Sequence, residues 1–256
     1  MIYRLDLHLH TDRSPDSRTT LSQAVERAKK RNIDAIAVCD HNRCAPQEVF
    51  DQPLRDGVLL VPGVEYSTEV GHLLGLFLQK RVSVPGVENG RVSFADAAAA
   101  IHAAGGKCVL AHPYELTHHS TAEITAQIDR IAPLLDGIEI FNCRATKKRR
   151  NANALAREAA ERLQDPILTA GSDAHTLREI GRAYAVVEAD ELTVDALRKG
   201  LVYPVDYHCE KCPQMALAQS RLVFLKKTHS KPKSYLKWCA YAGLCLLRAV
   251  KGVFQS

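Results

Sequence analysis

The chain is 256 residues long, 46% hydrophobic and 25% charged, which suits one large domain or two small ones and excludes disordered, collagen-like and membrane-bundle classes. Its net charge of +5 is unevenly spread: residues 220–256 hold eight Lys or Arg and no acid, leaving 26 basic against 29 acidic side chains in residues 1–219. The body is mildly acidic and the tail is basic.

The opening Met1-Ile2-Tyr3-Arg4-Leu5-Asp6 lacks a basic region followed by an apolar stretch, so no secretory leader is expected there. The eight cysteines, Cys39 and Cys108 among them on apparent core strands, read as reduced thiols, and a cytoplasmic location is expected. In chain order, a strand is expected over Tyr3 to Leu7 and a helix over Leu21 to Arg31, the helix opened by Thr20 and Gln23 at capping-box spacing. Ile33 to Cys39, Val58 to Val64 and His72 to Leu78 read as strands, and Phe94 to Ala104 as an Ala-rich helix closed by Gly105-Gly106. The rhythm continues with strands over Lys107–Ala111, Gly137–Phe141, Ile167–Ala170 and Ala183–Val187. Helices are expected over Thr121–Ile131, Asn151–Leu163 and Val194–Lys199. About eight strands with intervening helices indicate an α/β fold with a mostly parallel sheet.

Polar residues fall at the carboxyl ends of these strands: His8 and His10, Asp40 and His41, Glu65, His112, then Asp173 and His175. His72 instead starts its run, which calls for a bent strand or a long loop. A (β/α) barrel gathers all strand carboxyl ends on one face, so residues this far apart in sequence favour a barrel over an open sheet. Histidine with carboxylate is a ligand set for Mn²⁺, Fe²⁺ or Zn²⁺. His8 and His10, two apart on an extended segment, point to one side and can grip one ion.

The segments Asp6-Leu7-His8-Leu9-His10-Thr11, Ser14-Pro15-Asp16 and Cys39-Asp40-His41-Asn42 resemble the opening motifs of the polymerase and histidinol phosphatase (PHP) superfamily. Gly63-Val64-Glu65, His72-Leu73-Leu74-Gly75-Leu76, Ala111-His112-Pro113 and Gly171-Ser172-Asp173-Ala174-His175 resemble its later motifs, in the same order. The resemblance spans residues 2 to 187 and implies a distorted seven-stranded barrel with a two- or three-metal centre that hydrolyses phosphoesters. It assigns His8, His10, Glu65 and Asp173 to one ion and His41, His175 and Asp16 to a second. Glu65, His72 and His112 go to a third. Asp16 is followed by Ser17 where the family often has Gly. Asp40 is either a ligand or an acceptor that orients a ligand histidine.

Asn142 and Arg144, after the sixth strand, are candidate substrate-binding residues, Arg144 as a bidentate phosphate clamp. Lys147 to Arg150 and His118-His119 read as loop residues, and His102 as helix filler. Cys209 and Cys212, beside His208, have Cys-x-x-Cys spacing without the second pair that a structural zinc site needs. In the tail, a break at Lys231-Pro232-Lys233 precedes a helix from Ser234, with Lys237, Tyr241, Leu244, Arg248 and Lys251 on one face. That helix either attaches to an anionic membrane or a partner protein, or packs on the barrel with Lys and Arg reaching outward; the second is favoured.

The expected architecture is a distorted (β/α)7 TIM-like barrel over residues 1–205 with a basic, helical C-terminal extension over 206–256. The expected activity is metal-dependent hydrolysis of a small phosphomonoester, a nucleotide or sugar phosphate, with Asp173, His175 and Glu65 at the reacting centre. The alternatives are a phosphodiesterase or 5′-to-3′ exonuclease acting on nucleic-acid ends, and a catalytically silent metal-binding interaction module.

Overall fold

Leu5, Leu7, Ala35, Ala37, Leu59, Val61, Leu74, Leu76, Val109 and Ile167, alternate residues of successive apolar runs, share one buried cluster. Strands whose inward faces meet in this way must curl into a barrel. The computed structural model describes residues 1–115, 119–145 and 149–253, the side chains of 251–253 apart. Its strands are β1 (Ile2–Leu9), β2 (Ala35–Val38), the two-residue β3 (Leu54–Arg55), β4 (Val58–Ser67), β5 (His72–Leu76), β6 (Lys107–Leu110), β7 (Gly137–Asn142), β8 (Ile167–Gly171), β9 (Ala183–Glu188) and β10 (Asp206–Cys209). They are ordered β10-β9-β1-β2-β4-β5-β6-β7-β8, with β3 paired to β4.

The barrel proper has seven strands, because β8 comes back to β1. The Asp173 amide donates to the His8 carbonyl at 2.7 Å, and the His10 amide to the Ala174 carbonyl at 2.9 Å. At its other end β1 pairs instead with antiparallel β9, from Ile2↔Glu188 to Leu5↔Ala185. The sheet is thus drawn shut at the carboxyl end of β1 and splayed at the opposite end. Leu197 and Leu201, from α6 (Val194–Gly200) and just beyond it, join the interior cluster.

Two of the expected elements differ in a way that matters for the site. β5 runs antiparallel to both β4 and β6, so the sheet is mixed. His72 therefore needs neither a bent strand nor a long loop. A tight turn, with Thr68 donating to the Gly71 carbonyl and Gly71 at φ 139°, reverses the chain and pairs His72 with Ser67. The start of β5 lies beside the end of β4.

The second difference is at the C-terminus. β10 pairs with β9, so residues 206–209 are still part of the sheet. Two helices follow, α7 (Ala216–Lys227) and α8 (Pro232–Val253). Pro232 opens α8 instead of breaking it, since a first-turn position has no intrahelical partner for an N–H. Trp238 Nε1 donates to the Ala218 carbonyl at 2.7 Å and the Tyr235 hydroxyl to the Leu225 carbonyl at 2.9 Å, locking the helices into a hairpin.

The remaining helices, α1 (Leu21–Lys30), α2 (Gln47–Asp51), α3 (Phe94–Ala103), α4 (Thr121–Ile131) and α5 (Ala152–Ala160), pack outside the strands. α1 carries the capping box of Thr20 and Gln23, and α4 that of Ser120 and Glu123. Among the described residues no helix is long and apolar enough to cross a membrane.

Asp6 is fully buried on the outer side of β1, where its carboxylate accepts from the Ser172 and Gly181 amides, both at 2.8 Å. It ties the loop after β8 to β1 and so fixes the approach of Asp173 to His8. Asp6→Ala would orphan two buried amides at about 1–3 kcal/mol each, so urea unfolding is expected to show a loss of about 2–6 kcal/mol. A loss within error of zero would mean that the amides find other partners.

Candidate metal centre

β1 changes phase before its histidines. Leu5 and Leu7 face the interior, Leu9 packs outside with α1, and the register against β2 shifts between Asp6 and Leu9. This irregularity lets His8 and His10 take over the inward side at the barrel mouth. β7 has a similar shift between Glu139 and Phe141, which brings Glu139 and Asn142 towards the same mouth. Gly171 makes the junction fit: a Cβ there would lie 2.3 Å from that of His8.

Glu65, fully buried on β4, is the hub. His72 Nδ1 and His112 Nε2 lie 2.8 and 3.2 Å from its Oε1, His41 Nδ1 lies 2.7 Å from its Oε2, and the Nε2 atoms of His8 and His10 are each 3.4 Å away. Asp173 Oδ1 is 3.3 Å from His10 Nε2 and 3.8 Å from His8 Nε2. Asp16 Oδ2 is 2.9 Å from His175 Nε2 and 3.5 Å from His41 Nε2. Nine of the ten predicted metal residues thus converge on one centre, seven of them lining its cavity with His8 and His10 buried behind. The tenth, Asp40, does not point there. Its oxygens accept from the Thr11 amide and hydroxyl, both at 2.7 Å, and from the Ser14 hydroxyl at 2.9 Å. Ser14 Oγ lies in turn 3.2 Å from His10 Nδ1, so Asp40 reaches the centre through Ser14.

The donor set fits divalent cations. Two atoms each about 2.1 Å from one ion and roughly 90–110° apart stand about 3.0–3.4 Å from each other, the spacing seen here. Sets of converging donors include His8, His10 and Glu65; His10, His41 and His175; His8, His112 and Asp173; and His41, Glu65 and His72. Asp16 Oδ1 is buried with no hydrogen-bond partner among the described residues, and His41 Nδ1 and Glu65 Oε2, though 2.7 Å apart, are not aligned for a hydrogen bond, as ligand atoms turned to a common ion would be. Charge is strongly partitioned. Burial would raise the Glu65 carboxyl, but the rings of His72, His41 and His8 hold it well below the usual carboxylate range. Burial, then His175 and His41, drives His10 towards the neutral form that coordinates metal. Burial opposes a charge on His112 too, yet Glu115 and Glu65 raise it to about 9.

The backbone is strained at the same place. His112 and Asp173 have φ of 27° and 52°, a left-handed conformation that costs a non-glycine residue about 1–3 kcal/mol. Hydrogen bonds hold both: the His112 amide donates to Glu139 Oε2 at 3.0 Å, and the Asp173 amide to His8.

Arg144 lies beside the centre, buried, with its guanidinium against His175 Nδ1, Glu179 Oε1 and the Ser220 hydroxyl of α7. Asn142 is buried behind the cavity wall, its amide nitrogen 3.5 Å from Asp173 Oδ2. Its amide group donates to Glu139 Oε2 at 2.9 Å, and its oxygen accepts from the Arg144 and Ala145 amides. Cys209 and Cys212 lie with Cys143 in a separate small cluster, outside every set of converging donors. His102 instead pairs with Asp136 at 2.8 Å on the surface, where Lys107 shares the carboxylate. His118, Lys147 and Lys148 lie outside the described residues.

Sequence reasoning missed two buried carboxylates. Glu139 Oε1 is 3.0 Å from His8 Nδ1 and orients that ring. Its signal was a lone acid between Ile138 and Ile140 in an apolar strand. Glu179 accepts from the His175 and Thr176 amides as well as pairing with Arg144, and Thr176 to Glu179 has the spacing of a capping box. Missed too was the tail: Leu217, Arg221, Phe224, Lys237, Tyr241 and Arg248 line the same cavity of about 700 Å³ as Glu65, Asp173 and His175. Lys237 and Arg248, though exposed, border the cleft, which corrects the favoured expectation of outward-reaching cations for these two; Lys226, Lys231 and Lys233 are exposed.

Glu139→Gln is expected to weaken divalent metal binding about 10–100-fold without unfolding the protein, as loss of a carboxylate behind a ligand histidine does. Equilibrium titration with Mn²⁺ or Zn²⁺ measures this, and unchanged affinity would deny Glu139 that role.

Residues 6–73 match the family model described as PHP domain, and residues 150–202 the one described as PHP-associated. The uncharacterized protein MJ0417 of Methanocaldococcus jannaschii is 28% identical over 194 residues, 75% of this chain and 73% of that protein. Among solved structures, a two-domain Bacteroides vulgatus protein containing a predicted PHP-like metal-dependent phosphoesterase superposes with a TM-score of 0.56 at 18% identity, over 89% of this chain and 70% of that one. The lesion-specific endonuclease PfuEndoQ of Pyrococcus furiosus does so with a TM-score of 0.54 at 14% identity, over 81% of this chain and 57% of that one. At such identities the superpositions show a common fold, and the matched segments name it: the chain carries a PHP domain and its PHP-associated segment on a distorted, nearly closed barrel.

Proposed function

We propose that the protein is a metal-dependent phosphoric monoester hydrolase acting on a small phosphorylated molecule. The observation that carries the reading is the convergence of His8, His10, His41, His72, His112, His175, Asp16 and Asp173 about the buried Glu65 carboxylate, at the floor of a cavity open to ligand. In this reading His8, His10, Glu65 and Asp173 hold one ion, and His41, His175 and Asp16 a second. Glu65, His72 and His112 hold a third, with Mn²⁺, Fe²⁺ or Zn²⁺ as the candidates. Such ions, when bound, polarise a phosphoryl group and lower the pKa of water towards neutrality.

The chain's own groups do the rest. Glu65 and Asp173 stay ionised against burial because the histidines around them supply positive charge. Arg144 is pre-set by Glu179 and Ser220, so its guanidinium can grip phosphoryl oxygens with little loss of side-chain freedom. Asp40 with Ser14, and Glu139, keep the His10 and His8 rings turned to the cavity. The α7–α8 hairpin beside the opening favours a small substrate over a nucleic-acid end, since a volume of about 700 Å³ is that of a small-molecule site.

Two to three metal ions per chain are expected on purification or after Mn²⁺ loading, with p-nitrophenyl phosphate cleaved faster than its bis-ester. Asp173→Asn should cut that turnover by about 100-fold or more, the order lost with one charge-stabilising group. Faster bis-ester cleavage would indicate a diesterase, metal binding without either hydrolysis would favour the non-catalytic module, and failure to bind metal would overturn the reading.

A further inference from the structure

An isolated amphipathic helix turns its charges to water and its leucines to protein. α8 does the reverse. Leu236, Leu244, Leu246, Leu247 and Val250 are exposed by 72, 53, 55, 61 and 48%, while Lys237 and Arg248 line the cavity above the metal centre. Tyr241, between them on the same face, lines it as well, and α7 adds Arg221. Among the described residues Arg221, Lys237 and Arg248 make no salt bridge or hydrogen bond, although Asp16, Glu65, Glu115 and Asp173 line the same cavity. The cations are not there to neutralise the floor.

The hairpin is fastened to the site and not merely near it. Lys227 Nζ donates to the carbonyls of Asp12, Ser14 and Ser17 at 2.6, 2.8 and 2.8 Å, which uses all three ammonium protons on the loop that carries Asp16. Ser220 accepts from Arg144 Nη2 at 2.6 Å. A roof held at both places keeps its three cations at a set height over the floor. The space between suits a ligand negatively charged at two ends, one towards the metal ligands and one towards the roof.

We propose that α7 and α8 form a second anion subsite, with Arg221, Lys237, Arg248 and the Tyr241 hydroxyl receiving a phosphate other than the one at the metal centre. The substrate class is then a small molecule with two separate phosphate groups. The inference rests on the hydrolase reading only for which phosphate is cleaved; the subsite itself is a matter of binding.

The test is calorimetric titration of the full chain, Mn²⁺-loaded and metal-free, with α,ω-alkanediol bisphosphates of three to six carbons and with the matching monophosphates. At least one bisphosphate should bind about tenfold or more tighter than its monophosphate, as charge-assisted hydrogen bonds to a phosphate do. The Lys237→Gln/Arg248→Gln double variant should bring that ratio close to one, and Lys237→Gln alone should lower it part of the way. Both residues are exposed, and neither side chain makes a hydrogen bond or salt bridge among the described residues; circular dichroism would verify that the variants are folded. The subsite is overturned if no bisphosphate outbinds its monophosphate, or if the double variant keeps the full ratio. It is overturned as a small-molecule site if a 5′-phosphorylated oligonucleotide outbinds every bisphosphate and loses that advantage in the same variant. A bisphosphate bound through the roof but never cleaved would sink the hydrolase reading and leave the subsite standing; monophosphate turnover with no bisphosphate preference would do the opposite.

Discussion

A single buried carboxylate sets the terms for the rest of this structure. Glu65 has no exposure to solvent, and an ionised carboxylate in such a place is tolerable only if positive or polarised groups surround it. Five histidines do so, from the ends of β1, β2 and β6 and the start of β5. Each must arrive within about 3.5 Å of the same two oxygens, which fixes the barrel's closure, the phase shift in β1 and the reversal at β5. The outer ring of acids serves the same arrangement: Asp40 through Ser14, Glu139 through His8, and Asp6 through the loop before Asp173.

The parts of this arrangement that the sequence makes legible are those with a local signal. Runs such as Ile36 to Val38 announce strands by their composition, and Thr20 with Gln23 announces a helix start. Histidines at the ends of apolar runs announce the active face. Strand direction has no such signal, because alternation reads the same both ways. The reversal of β5 could still be read from distance: a few residues between the third and fourth apolar runs cannot hold the crossover that a parallel neighbour needs. Only a hairpin fits that length, and a hairpin places His72 beside Glu65 without any special loop.

What stayed illegible depends on contacts far apart in the chain. Asp40 as ligand or as orienting acceptor could not be decided from its neighbours, since the deciding groups are the Thr11 and Ser14 donors. Asn142, polar and at a strand end, reads as a substrate contact, and its hydrogen bonds go to Glu139, Asp173 and the following turn. For α8 the periodicity puts Lys237, Tyr241 and Arg248 on one face, as they stand, while Leu244 lies exposed outside the cavity lining, and the rule for orienting that face misleads. A polar helix face usually seeks bulk water, whereas here it faces a cavity lined with acids and histidines, which is polar surface of another kind.

Lys227 also bears on how the molecule comes into being. Its three carbonyl partners lie more than 200 residues earlier in the chain, in the loop that presents Asp16. During synthesis the barrel strands, the histidines and Glu65 all emerge before the lysine that clamps this loop and the serine that holds Arg144. A nascent chain can therefore assemble its barrel while the mouth is still loose. The mouth is completed only after α7 has left the ribosome.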